Sequence, residues 1–196
     1  MYGSQYARTP TAPGTGTFSG PALLVADPSY NLPKTAKRIK HWQERFGVTA
    51  LKNESATRAA VLNGLKGRPA LFFFSGHGEH DDLDQTSTRI ILSESHIDLQ
   101  DVLADRLAAR LVVLNGCSTG ASEAGYGAGL PEAFMHQGTE AVLGTTRTLK
   151  DGEAEAFLDR FFDASATQAP ALAMTDAVKA SIEAKDDSWE HLRLWR

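Results

Sequence analysis

Cysteine occurs once in the 196 residues of this chain. A lone thiol cannot close an internal disulfide, so the cross-linked frameworks typical of oxidising compartments are excluded. No Cys/His cluster of the kind that holds zinc is present. No apolar run approaches the ~18 residues of a membrane-spanning helix. The first residues lack the basic-then-apolar pattern of a secretory signal. Positive charge is sparse and scattered: 20 Lys and Arg stand against 24 Asp and Glu, for a formal net charge of −4. A basic stripe able to track nucleic acid is therefore missing. Internal repeats are missing too. These absences point to a cytoplasmic globular protein with no membrane partner and no direct nucleic-acid partner.

What remains is ordinary in amount and informative in arrangement. Hydrophobic residues make up 42% and charged residues 22% of the chain, enough apolar surface for one sizeable core. Residues 1–20 are rich in Gly, Ser, Thr and Pro and read as a flexible tail or linker. The domain is expected over 21–196. Ala22 to Ala26, Pro69 to Phe74, Leu111 to Leu114 and Ala141 to Leu143 are short unbroken apolar runs, which suit strands buried on both faces. Val48 to Leu51 and Leu192 to Trp195 read as further strands. Between them lie amphipathic stretches. Lys34 to Phe46 presents Ile39, Trp42 and Phe46 on one side and stops at Gly47. A helix capped by Ser55 runs through Leu65, and another surrounds Val102, Leu103 and Leu107. Leu130 to Gln137 opens with Pro131. Glu153 to Asp163 buries Phe157, Leu158, Phe161 and Phe162, and Ala171 to Ala184 buries Met174, Val178 and Ile182. Arg89 to Leu92 and His96 to Leu99 read as a small hairpin around Ser93-Glu94-Ser95. Strands alternating with helices predict a mostly parallel α/β sheet covered on both sides.

In such sheets reactive groups collect at the carboxyl ends of the strands. Two glycine-flanked residues sit there. His77 follows Leu71-Phe72-Phe73-Phe74 within Ser75-Gly76-His77-Gly78. Cys117 follows Leu111-Val112-Val113-Leu114 within Asn115-Gly116-Cys117-Ser118-Thr119-Gly120. Taken alone, a free cysteine is most often a small buried hydrophobe, and a single histidine is often structural. A histidine between two glycines, however, is presented rather than packed. Together they are the parts of a cysteine nucleophile and its base. The backbone N–H groups of Gly78 and Cys117 can then form an oxyanion hole.

These residues resemble the CHAT domain, a branch of the caspase-like cysteine peptidases related to separases and metacaspases. The likeness extends through Leu130-Pro131-Glu132-Ala133-Phe134, Gly138 to Thr145 and Ala156 to Phe162, and to Trp189 near the closing strand. The resemblance implies a three-layer α/β/α caspase-like sandwich, with a central sheet of about six mostly parallel strands plus a small β-hairpin. It implies a cysteine endopeptidase acting through a His77–Cys117 dyad on a protein substrate, with no metal and no organic cofactor. Many family members read Ala-Cys-Glu-Thr-Gly at the nucleophile. Gly116-Cys117-Ser118-Thr119-Gly120 is nearer the separase style. In relatives that cut after Arg or Lys, acidic residues line the S1 pocket at the end of the first strand and two positions before the nucleophile. Asp27 fills the first place and neutral Asn115 the second, which favours a basic P1 weakly. Asp27 also reads as the cap of an Asp27-Pro28 turn. Preference for Asp at P1 would need arginines, and Arg147 is the one obvious candidate. The resemblance further implies a regulatory protein or a fused sensor or repeat domain, and a role in bacterial defence or regulated cell death. Family copies without the dyad serve as interaction modules. A catalytically silent module is therefore the alternative, and a thiol-dependent acyl-transfer enzyme on the same sheet is a third reading.

Three features carry less. Glu79 to Asp84 is acidic, but its spacing is not that of a calcium-binding EF-hand loop, so it reads as a solvated loop beside His77. Gly125 to Gly129 is no phosphate cradle and reads as a mobile loop near Cys117. His80, His96 and His136 read as surface or packing residues.

Overall fold

The run Leu71-Phe72-Phe73-Phe74-Ser75 is buried along its whole length, and the rest of the molecule is built outward from it. The computed structural model describes residues 20–81, 84–120 and 129–196. The expected tail up to residue 19, part of the acidic run and most of the glycine-rich loop lie outside the described residues.

Among the described residues, six strands form the central sheet: β1 (Ala22–Ala26), β2 (Leu51–Lys52), β3 (Leu71–Ser75), then Leu111–Asn115, Ala141–Thr145 and Leu192–Trp195. The order is β2, β1, β3, then these last three in sequence order. All neighbours are parallel except the last pair, which is antiparallel. A second sheet of three antiparallel strands comprises β4 (Gly78–Asp81), β5 (Asp84–Ile91) and β6 (His96–Asp98). In chain order the remaining central strands are β7 (Leu111–Asn115), β8 (Ala141–Thr145) and β9 (Leu192–Trp195). The helices are α1 (Pro33–Phe46), α2 (Arg58–Lys66), α3 (Leu99–Ala104), α4 (Leu130–His136), α5 (Glu155–Ser165) and α6 (Pro170–Glu183).

Strand pleating sends alternate side chains to opposite faces, and both faces are apolar here. Leu24, Leu71, Phe73, Leu111, Val113 and Leu143 meet Trp42 of α1 and the phenylalanines of α5. Val25, Phe72, Phe74, Val112, Leu114 and Val142 meet α2, α3 and α4. This is the expected α/β/α sandwich. Each fully buried Leu or Phe contributes about 1.5–3 kcal/mol, so the two clusters fix the strand order and register that the site depends on.

The differences from the sequence reading have local causes. The hairpin gains a third strand, β4, immediately after His77. Val48 is not in a strand, because its N–H donates to Gln43 O and completes the end of α1 around Gly47, which stands at φ 64°. Ser55 does not cap α2: its hydroxyl bonds the backbone of Lys52, and Thr57 accepts from Ala60 N at 3.2 Å instead. On α6 the fully buried side is Ala173, Ala177 and Ser181. Met174 and Val178 are partly buried against the core, while Ile182 is 56% exposed. Small residues let α6 lie close to α5, which rotates the expected stripe outward.

Candidate active site

The pairing of β3 with β7 runs from Leu71 opposite Leu111 to Ser75 opposite Asn115, a constant offset of 40 residues (111 − 71 = 115 − 75). His77 and Cys117 differ by the same 40 (117 − 77) and stand two residues beyond the last pair. The Gly76 N–H donates to Asn115 O at 3.1 Å and carries the pairing one step further. Both glycine turns therefore leave adjacent strands side by side, at their carboxyl ends.

The turns touch through their backbones. A Cβ at Gly116 would lie 2.7 Å from Gly76 O and 3.1 Å from Gly78 N. One at Gly78 would lie 2.3 Å from Cys117 O. No side chain fits at either position, so the glycines are required by close approach. Gly78 and Cys117, the expected oxyanion donors, are thus in contact. His77 and Cys117 are both half-buried.

The turn around Cys117 is tied to β8 and to the loop that follows it. Ser118, at φ 53°, donates its N–H to Arg147 O at 3.1 Å, and Gly120 N donates to Thr145 O at 2.8 Å. The buried Thr119 hydroxyl lies 2.8 Å from Leu114 O and 3.0 Å from Gly116 O, and the Thr145 hydroxyl also donates to Gly116 O. The thiol itself donates to Leu149 O, with Sγ 3.6 Å away. Leu149 belongs to the β8–α5 loop. That loop is anchored at a distance: Asp151 accepts from Lys34 N at 2.7 Å, Thr35 N at 3.0 Å and the Thr35 hydroxyl at 2.9 Å. It thereby caps α1, which has no side-chain cap of its own.

His77 is held from the other side. Its carbonyl accepts from Ile91 N at 2.9 Å, and its Nε2 lies 2.6 Å from Asn31 Oδ1. Among the described residues, the hydrogen bonds of the thiol and the imidazole go to Leu149 and Asn31 rather than to each other. Next to Asn31, Tyr30 is exposed. A hydrogen bond with the Glu54 carboxylate raises its phenol above the ordinary range, and the same bond holds Glu54 below the ordinary carboxylate range.

Asp27 and Asn115 flank Ser75 across three adjacent strands. Asp27 N donates to Ser75 O at 2.9 Å, and Asn115 Nδ2 donates to Ser75 Oγ at 3.0 Å. Asp27 is only 4% exposed. Its Oδ1 accepts from Asn31 N at 3.1 Å and Leu32 N at 3.2 Å, so the turn-capping role read from Asp27-Pro28 is present. Elsewhere, His80 Nδ1 bonds the Thr88 hydroxyl at 2.9 Å; Arg147, whose carbonyl holds Ser118 N, is exposed. Sequence reasoning missed Asn31, Thr119, Thr145 and the Leu149–Asp151 loop. Asn31, Thr145 and the loop carry no local signal, because each acts on a partner far along the chain, whereas Thr119 braces the turn it belongs to.

A sequence model of the CHAT domain matches residues 5–195, and the chain belongs to the CHAT domain family. Among solved structures it is similar to Saccharomyces cerevisiae separase in a separase–securin complex, with a TM-score of 0.65 and 16% identity over 92% of this chain and 12% of that one. It is also similar to the Porphyromonas gingivalis RgpB of a complex of pro- and mature domains, with a TM-score of 0.61 and 15% identity over 86% of this chain and 44% of that one. The Arg specific cysteine proteinase gingipain R matches with a TM-score of 0.60 and 14% identity over 88% of this chain and 45% of that one. These likenesses establish the caspase-like cysteine peptidase fold. The chain spans about an eighth of the separase chain and under half of either gingipain chain.

Proposed function

We propose that this member of the CHAT domain family is a cysteine endopeptidase, with Cys117 as nucleophile and His77 as its base. The observation that carries the reading is the common offset of β3, β7 and the two residues themselves, with both turns in backbone contact at the carboxyl end of the two central strands. In this mechanism His77 takes the thiol proton and Cys117 Sγ attacks the scissile carbonyl carbon. Charge on the carbonyl oxygen is met by the N–H groups of Gly78 and Cys117, and losing one such donor typically costs about 100–1,000-fold in rate. His77 then gives its proton to the leaving amine, and water releases the acyl group by the reverse route.

Asp27, with Asn115, shapes an S1 pocket for a basic side chain, a preference in line with the Arg-specific gingipain of the same fold. Regulation by a protein partner or a fused sensor domain fits two facts. The separase of this fold was solved with securin, and here the thiol is bonded to Leu149 O. Bacterial defence or cell-death signalling is the setting the family suggests. The same bonding of thiol and imidazole away from each other favours one second reading, a silent interaction module.

Iodoacetamide labelling separates the two. A peptidase dyad requires fast alkylation of Cys117 that is suppressed in His77→Ala; equal labelling of both proteins favours the module. Fluorogenic peptides with Arg or Lys at P1 then report on S1, through loss of their cutting in Asp27→Asn while iodoacetamide still labels Cys117 at the wild-type rate.

A further inference from the structure

The His77 imidazole is gripped by a side chain that the dyad alone does not require. Asn31 Oδ1 lies 2.6 Å from Nε2. A carboxamide oxygen only accepts, so in this arrangement Nε2 carries the proton and donates it. The lone pair of the neutral ring is then left on Nδ1, the nitrogen nearer the backbone of His77. That backbone side is where the Gly78 and Gly116 turns meet.

The loop that offers Asn31 is built for position. Asp27 Oδ1 holds Asn31 N and Leu32 N, and Asp27 N is fixed to Ser75 O, two residues before His77. Pro28 Cδ packs where a Cβ on Gly76 would be, 3.1 Å away. Asp27 and Tyr30 stand at φ 43° and 59°, a left-handed region that disfavours residues other than glycine. Such strain persists only where surrounding bonds over-determine it.

We infer that Asn31 is a positioning residue for His77: it fixes the tautomer with Nδ1 free, so that Nδ1 receives the Cys117 proton, and Asp27 supports it through the loop. This rests on the dyad reading above. In the step, the Sγ–H bond breaks, its electron pair stays on sulfur, and the proton forms a bond to Nδ1. The resulting imidazolium keeps its Nε2–H on Asn31, where the bond becomes charge-assisted and stronger. No co-reactant is needed.

The test uses the full chain labelled with 15N-histidine, with the His77 signals assigned by their loss in His77→Ala. Wild type should show the proton on Nε2. Asn31→Ala should show mixed tautomers and alkylate Cys117 with iodoacetamide at pH 7 about 10–100-fold more slowly. Asn31→Asp keeps an acceptor and should restore both. A wild-type proton on Nδ1 overturns the inference without any variant. So does Asn31→Ala with a wild-type tautomer and an alkylation rate within about twofold of wild type. If His77→Ala alkylates at the wild-type rate, the dyad reading has failed instead, and the tautomer measurement still judges Asn31. Thermal unfolding of each variant reports whether it is folded.

Discussion

Gly78 stands against Cys117 so closely that a Cβ on the glycine would sit 2.3 Å from the Cys117 carbonyl oxygen. The clash is with backbone, which cannot rotate away as a side chain can. Gly78→Ala must therefore push the two turns apart, at about 1–3 kcal/mol. The displacement acts on the spacing of Cys117 and His77, the proposed nucleophile and base, and for such a pair a misplacement near 1 Å costs about 100-fold. Iodoacetamide labelling of Cys117 should fall about 100-fold, while urea unfolding should still show a cooperative transition. Labelling at the wild-type rate would mean that the contact does not set the site.

Thr119→Val tests the inner side of the same turn. The hydroxyl sits 2.8 Å from Leu114 O and 3.0 Å from Gly116 O, fully buried. Valine keeps the Cγ2 that packs near Gly78 and Gly116 but leaves Leu114 O facing a methyl, while Gly116 O keeps the Thr145 hydroxyl and the residue-119 N–H. An unmet buried polar group costs about 1–3 kcal/mol. Chemical denaturation should show a loss in that range for Thr119→Val and a smaller one for Thr119→Ser, which keeps the hydroxyl.

Much of this could be read from the chain before the fold was known. β3, β7 and β8 are legible because strands buried on both faces leave unbroken apolar runs, and His77 and Cys117 are legible because glycines mark where those runs turn. β4 was invisible: Gly78 to Asp81 is polar and takes its shape from pairing with β5. α6 misled because Met174, Val178 and Ile182 outweigh alanines in any hydrophobic count, yet the alanines let two helices approach closely. Asn31 and Asp151 were illegible for one physical reason. Their partners lie 46 and 116–117 residues away, and no local pattern encodes a hydrogen bond across that separation.

Asp151→Ala measures the clamp between the β8–α5 loop and α1. The carboxylate holds two backbone N–H groups and the hydroxyl of Thr35, and the preceding residue at the helix start, Leu32, offers no cap. Loss of a capping side chain costs about 1 kcal/mol, which lowers the melting temperature of a domain this size by about 2–4 °C. Because Leu149 lies two residues upstream, the freed loop should also lift its carbonyl from the thiol and speed alkylation of Cys117. An unchanged melting temperature would show that the clamp contributes nothing.

Glu155→Gln should stabilise the protein, and only away from acid. Burial raises the Glu155 carboxyl above its ordinary range, the neighbouring Asp151 adds to the rise, and Arg38 opposes it. Burial outweighs that opposition: Arg38 Nε is 3.5 Å from Oε2, and its guanidinium is shared with Asp159. Oε1 is buried and has no hydrogen-bond partner among the described residues. A group whose folded-state value is raised binds its proton more tightly when folded. The fold therefore favours the neutral acid, and that advantage is lost as pH rises through the folded value. At about pH 4 the acid is largely protonated in both states, so the neutral glutamine gains little. At pH 7 the fold carries a poorly paired carboxylate that glutamine removes, worth about 0.5 kcal/mol or less at such a site, or a rise of about 1–2 °C. Melting curves of both proteins at the two pH values should diverge at pH 7 and converge in acid. A lower melting temperature for Glu155→Gln at pH 7 would show instead that the Arg38 pair outweighs the burial cost.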